Sequence, residues 1–200
     1  MRTIRVLAAA AVAATVAATA APAQQTQRVR GVIEKIDGNT LVIKAAAGEA
    51  VLTLTDDALV VGVVKASLAD IKEGSYIGSG ALPQPDGTQK AVEVHIFAES
   101  QRGTGDGHRT NWDGAPGGTM TNGAVGQTVS SIDGPVINVK YKDGEKKVIV
   151  GPGVPIVRYE IGTRSELKPG AAVNVAVATK KADGTFSAGR INVGRDGLVP

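Results

Sequence analysis

Residues 32–44 read Val-Ile-Glu-Lys-Ile-Asp-Gly-Asn-Thr-Leu-Val-Ile-Lys, and residues 128–140 read Thr-Val-Ser-Ser-Ile-Asp-Gly-Pro-Val-Ile-Asn-Val-Lys. Ile36, Asp37, Gly38 and Lys44 thus return as Ile132, Asp133, Gly134 and Lys140, ninety-six positions later. The offset persists downstream. Gly48 and Glu49 return as Gly144 and Glu145, and Lys72 and Gly74 as Lys168 and Gly170. After one inserted residue, Asp86, Gly87 and Thr88 return as Asp183, Gly184 and Thr185. A repeat kept over about 70 residues marks a tandem duplication, and it must be read before any single element. The shared positions are mostly turn residues and glycines, so the copies share a backbone more than an active site.

Each copy predicts the same order of elements. Residues 32–36 and 40–44 are strands joined through Asp37-Gly38, a dipeptide suited to a tight hairpin turn. A second turn leads into 50–54, where Ala50, Leu52 and Leu54 share a face. Ser67 with Asp70, and Thr163 with Glu166, then form capping-box patterns, with Gly74 and Gly170 as left-handed stops, so one very short helix follows. Two more strands come next, 76–82 and 91–97 in the first copy and 172–179 and 188–193 in the second. Three strands, a short helix and two strands is the order of the OB-fold, a five-stranded Greek-key barrel; an SH3-like barrel is the alternative closure. The expected fold is therefore all-β: two tandem small five-stranded OB-like barrels, over 24–101 and 127–200, each with one short helix between strands 3 and 4. Residues 102–126 hold eight glycines and read as a linker. Trp112, the only tryptophan, lies within it, and a solvated linker has no need of that ring; it is expected to dock on a barrel and is the candidate for a binding residue.

Residues 1–23 have a cationic start at Arg2 and Arg5, an uncharged stretch, and Ala21-Pro22-Ala23 as a cleavage site. That is an export signal cleaved after Ala23, and it points to the periplasm. The uncharged stretch is shorter than the roughly 20 residues needed to span a bilayer, so the mature chain is expected to carry no transmembrane segment. There is no cysteine, which excludes disulfides, thiolate metal sites and cysteine nucleophiles. Loss of Arg2 and Arg5 leaves the mature chain nearly neutral, so it does not read as a general polyanion binder. Charge does divide between the copies. Residues 28–101 carry 7 Lys/Arg and 10 Asp/Glu, whereas residues 127–200 carry 11 and 7. The opposite signs suggest mutual attraction, with drift after duplication as the plain alternative.

The pattern V-x-x-I-D-G-x-x-L-x-V-K, then G-E, then L-K-x-G, then D-G-T, resembles a family of uncharacterised exported bacterial domains that form small OB-like barrels. It spans 32–97 and 129–193. The stretch 102–109, with Thr119, Met120, Thr121 and Asn122, resembles a subgroup labelled as metal ABC transporter components. The resemblance implies the fold and, through that label, a role beside a metal transporter. It supplies no catalytic residues.

The chain has no phosphate-binding loop, no nucleophile elbow and no H-E-x-x-H. Its few aromatics, shared between two cores, make a stacked nucleic-acid platform a poor fit. The repeated Asp37 and Asp133, and Asp86 and Asp183, are explained by turn chemistry, so no catalytic residue is assigned. Histidine is scarce, and Glu93 and His95 fall two apart on one strand face. With His108, Asp106 or Glu99 swung in from the linker they could hold a divalent ion. The second copy has Arg190 and Asn192 at the places of Glu93 and His95, so such a site would belong to one copy only. No cofactor is implied. The sequence points to an exported, non-enzymatic binding or adaptor module for an envelope protein, a polysaccharide or a small ligand. An accessory metal-binding protein, with a metal ion held by Glu93, His95 and His108, is the alternative.

Overall fold

The structure, a computed structural model, describes residues 25–200; the expected export signal over 1–23 lies outside the described residues. The fold is all-β, and twelve strands form one continuous mixed sheet. No helix among the described residues is long and apolar enough to cross a membrane.

The first ring of strands starts with β1 (Thr26–Asp37), β2 (Thr40–Ala45) and β3 (Gly48–Lys65), paired in sequence by tight turns. It is closed by β11 (Ala172–Lys180) and β12 (Phe186–Gly194), which come from the second copy. β11 runs antiparallel to β1 and β12, and β12 runs parallel to β3. Alternation along these strands buries Ile33, Leu41, Ile43, Leu52, Val173 and Ile191 in one core. The second ring reverses the loan. β7 (Gly118–Val129), β8 (Val136–Tyr141) and β9 (Gly144–Ile149) are completed by β4 (Tyr76–Pro83) and β5 (Gln89–Ile96) from the first copy. Its core holds Ile77, Val94, Ile137, Val139 and Val148.

The expectation of two separate five-stranded barrels is therefore corrected. Each ring takes three strands from one copy and two from the other, and β10 (Ile156–Ile161) sews the rings together by pairing with both β3 and β5. Strand length is the physical reason. β3 runs for 18 residues, which at about 3.3 Å each is close to 60 Å of contour, and this carries the chain away from its own ring before β4 begins. In the second copy the matching stretch is divided into β9 and β10, because Pro152 and Pro155 have no N–H to offer a ladder. Within the β3–β10 ladder Val63 lies opposite Tyr159, flanked by Lys65 opposite Val157 and Val61 opposite Ile161. Val63 and Tyr159 hold equivalent places in the two copies, so an approximate twofold axis passes between them.

Three further expectations change. The expected short helices are single 3-10 turns, Leu68–Asp70 and Arg164–Glu166, although both capping boxes form. The expected linker 102–126 contains β6 (Gly107–Trp112) and the first half of β7, paired as a hairpin. Its glycines admit close neighbours rather than looseness: a Cβ on Gly123 would fall 2.3 Å from the Lys140 carbonyl oxygen. Finally, the Asp133-Gly134 repeat is not a second copy of the Asp37-Gly38 turn. Gly31 packs on Lys44 and Gly123 on Lys140, a spacing four residues shorter than the repeat offset. The β7–β8 loop absorbs those four residues, and Ile132 is left 100% exposed.

A protease site inserted after Pro116, in the exposed β6–β7 turn, distinguishes exchanged strands from separate barrels. The two cut fragments are expected to co-elute on gel filtration in native buffer and to part only in denaturant. Separation in native buffer would contradict the exchange.

Candidate functional site

The seam between the rings leaves a cavity of about 700 Å³. A smaller crevice of about 400 Å³, beside Pro135 and Pro152, has no ionisable side chain on its walls. The large cavity is walled by β1, β3, β5, β6, β7, β10, β11, β12 and residues 198–200. It sits beside the twofold seam, with both Val63 and Tyr159 on its walls.

On the β5 side, His95 is 7% exposed and its ring is stacked on Tyr159, with centroids 4.8 Å apart and planes 16° from parallel. Phe97 meets His95 edge-on at 4.9 Å and Tyr159 at 5.5 Å. The histidine fits because its strand partner is Gly78. A Cβ there would fall 2.0 Å from His95 Nε2 and 2.6 Å from Asn122 Oδ1, so ring and amide occupy the place of a missing side chain. Burial pushes the His95 pKa down to about 3, with the Arg190 charge acting in the same direction, and the ring is neutral at ordinary pH. Burial also pushes Tyr159 up to about 12, helped by the charge of Glu93. Glu93 itself is raised by burial, against the pull of Arg30 and Arg28.

The symmetry-related side carries different chemistry. Arg30 lies opposite Asn174 on β1 and β11, and Asn174 opposite Asn192 on β11 and β12. Arg190 donates from Nε to Asn192 Oδ1 at 3.2 Å and lies over the Tyr159 ring at 5.6 Å, a cation–π contact. Across the mouth Arg28 holds Asp113 through two hydrogen bonds of 2.8 and 2.7 Å. The Oδ1 atoms of Asn122 and Asn174 are buried with no partner among the described residues. Trp112 is docked rather than solvated: a Cβ on Gly80 would fall 2.4 Å from its Cη2.

The structure thus brings Glu93, His95 and Trp112 to one cavity and leaves His108 outside it. His108 alternates with Arg109 along β6 and points the other way. Its Nδ1 is 2.8 Å from Thr121 Oγ1, and its ring lies over Tyr141 at 6.5 Å. Asp106 accepts hydrogen bonds from the Tyr76 hydroxyl and the Lys142 amide, and Glu99 from Arg102. Among the described residues no three His, Asp or Glu side chains converge closely enough for a metal ion. Sequence reasoning missed Arg28, Arg30, Asn122, Asn174 and Tyr159. Alternation along β1 could have placed Arg28 and Arg30 on one face, but only strand exchange carries that face to Glu93, and nothing in the local pattern singles out Asn122, Asn174 or Tyr159.

The buried histidine makes stability depend on acid. The folded state keeps His95 neutral to about pH 3, whereas the unfolded chain takes up a proton near pH 6.5. Falling pH therefore favours the unfolded chain between those values, by up to about 1.4 kcal/mol per pH unit for this one proton. His95→Gln removes this contribution, so the wild type's lead over the variant in urea midpoint at pH 7 is expected to shrink by pH 4.5. An unchanged lead would show that His95 is not the buried neutral base.

Packing makes a second prediction. Gly80→Val should expel Trp112 from its seat and shift its emission to the red, while the far-ultraviolet circular dichroism is retained. Unshifted emission would mean that the ring rests elsewhere.

No protein-family model, curated protein or solved structure matches this chain, and its own side chains carry the functional reading.

Proposed function

We propose that this chain is an exported, non-enzymatic binding module built from two OB-type barrels with exchanged strands, and that it holds a small ligand in the cavity between them. The barrel reading is supported by the closing order in each ring, first-second-third-fifth-fourth, with the third and fifth strands parallel. The observation that carries the binding reading is the cavity's make-up. It has the size of a small-molecule site, with aromatic walls and a few buried polar atoms left without partners.

No nucleophile is paired with a base on these walls, and the histidine that could serve as one is stacked and buried. Binding without turnover fits this arrangement. The accessory metal-binding reading has less support, because His108 faces away from Glu93 and His95.

Trp112 provides the readout. Titration with soluble oligosaccharides, organic acids and short peptides is expected to give a saturable change in its emission for one of these classes. That ligand should be recovered chemically unaltered. A ligand recovered altered would overturn the non-enzymatic reading. Flat emission across all three classes, with no rise in Tm, would overturn the cavity as the binding site.

A further inference from the structure

The cavity walls hold four guanidinium groups, from Arg28, Arg30, Arg109 and Arg190, against two carboxylate side chains, from Glu93 and Asp113. Arg28 and Asp113 neutralise each other. Glu93 has no cation within 4.0 Å among the described residues, and neither Arg30 nor Arg190 has a carboxylate within that distance. Arg190 is the telling case. It is half-buried, its Nε is used on Asn192 and its face on Tyr159, and its two terminal amino groups have no acceptor among the described residues. Withdrawing a cation from water without a counter-charge is costly. A planar fork left open in this way matches the oxygens of a carboxylate, sulfonate or phosphate. Beside the fork lies Tyr159, half-buried and backed by the buried rings of His95 and Phe97, and suited to edge contact with a flat body.

We propose that the ligand of this cavity is a small organic anion with an aromatic or flat unsaturated body. Its acid group lies on Arg190 and Arg30, and its body lies against Tyr159 within reach of Trp112. The assignment of ligand class rests on the reading of the cavity as a binding site, and the two can fail separately.

The test uses two dyes that differ by one acid group, 8-anilinonaphthalene-1-sulfonate and uncharged N-phenyl-1-naphthylamine. Each is titrated into the intact protein and followed by energy transfer from Trp112. The sulfonate is expected to bind at least about tenfold more tightly, the gain typical of one charge-assisted contact. Arg190→Gln and Arg30→Gln should each remove most of that preference while leaving the uncharged dye unchanged. Arg190→Lys keeps the charge, loses the fork and is expected to fall between. Lys181→Gln, an exposed charge change away from the cavity, should do nothing, and circular dichroism confirms the fold of each variant. Equal binding of the two dyes overturns the anion class and leaves the cavity standing. A sulfonate preference that survives both Gln variants also overturns it, because the anion then lies elsewhere. Failure of both dyes to transfer energy from Trp112 overturns the cavity and this proposal together.

Discussion

The antiparallel seam between β3 and β10 sets two equivalent residues, Val63 and Tyr159, face to face. A repeated chain can meet its own copy in this way only about a twofold axis. Once the seam forms, the end of β3 lies beside the other copy, and strands 4 and 5 complete the ring there. Neither copy then owns a closed ring, since β3 is sealed by β12 and β9 by β5. Closure removes the open sheet edges that three strands alone would present to other chains. It also ties the folding of one copy to the other, because the pairings that close the first ring span most of the chain. Ion pairs such as Arg158 with Asp70 and Arg195 with Glu166 decorate the junction. The exposed Arg158–Asp70 pair contributes little beside the buried ladders and cores.

The axis explains why a cavity lies there and why it is chemically lopsided. A strict twofold would present every wall residue twice, so a glutamate at the Glu93 place would face a second glutamate in a confined space. Divergence has instead put Arg190 at the place equivalent to Glu93, Asn192 at that of His95 and Arg30 at that of Asn122. The shared backbone is kept by the turns: Asp86 caps Thr88 and Asp183 caps Thr185 with hydrogen bonds of 3.0 and 2.9 Å. Copy-specific chemistry lies on the strand faces at the seam and on the β6–β7 hairpin. Duplication thus supplies the scaffold, and differences between the copies supply an asymmetric site.

Local features were legible in the sequence, and partnerships were not. The repeated strands, the Asp-Gly turn at Gly38 and both capping boxes follow from spacing and turn chemistry, whereas β6, β10 and the far half of β3 do not. The exchange was hidden because strands 4 and 5 of either copy carry the same alternation and can complete either ring. Local pattern cannot say which β3 a β12 will join; the length of β3 decides it. The glycines of 102–126 misled for another reason, since a glycine that admits a neighbouring backbone looks the same in sequence as one that loosens a linker. At the site, Glu93, His95 and Trp112 stood out through scarcity and shared spacing. Nothing in the sequence marks Arg30 or Arg190 as part of a site, and only the folded seam sets them on one cavity.

The polar wall also bears on whether the cavity is a by-product of the exchange. On β11 and β12 the residues on the core side, Val173, Val175, Ile191 and Val193, are apolar and nearly fully buried, as packing alone requires. Asn174 and Asn192 alternate with them and are just as enclosed, each 7% exposed, yet they are amides. A buried carbonyl oxygen without a donor costs about 1–3 kcal/mol, and Asn122 and Asn174 each carry one. Valine at either place would relieve that cost. His95 adds a further cost below neutral pH, and its ring fits only because position 78 is glycine. These side chains weaken the isolated fold, and an occupant that donates to the amides and answers the open arginines would offset the loss. The stability that these side chains forgo would be available to a ligand as binding energy.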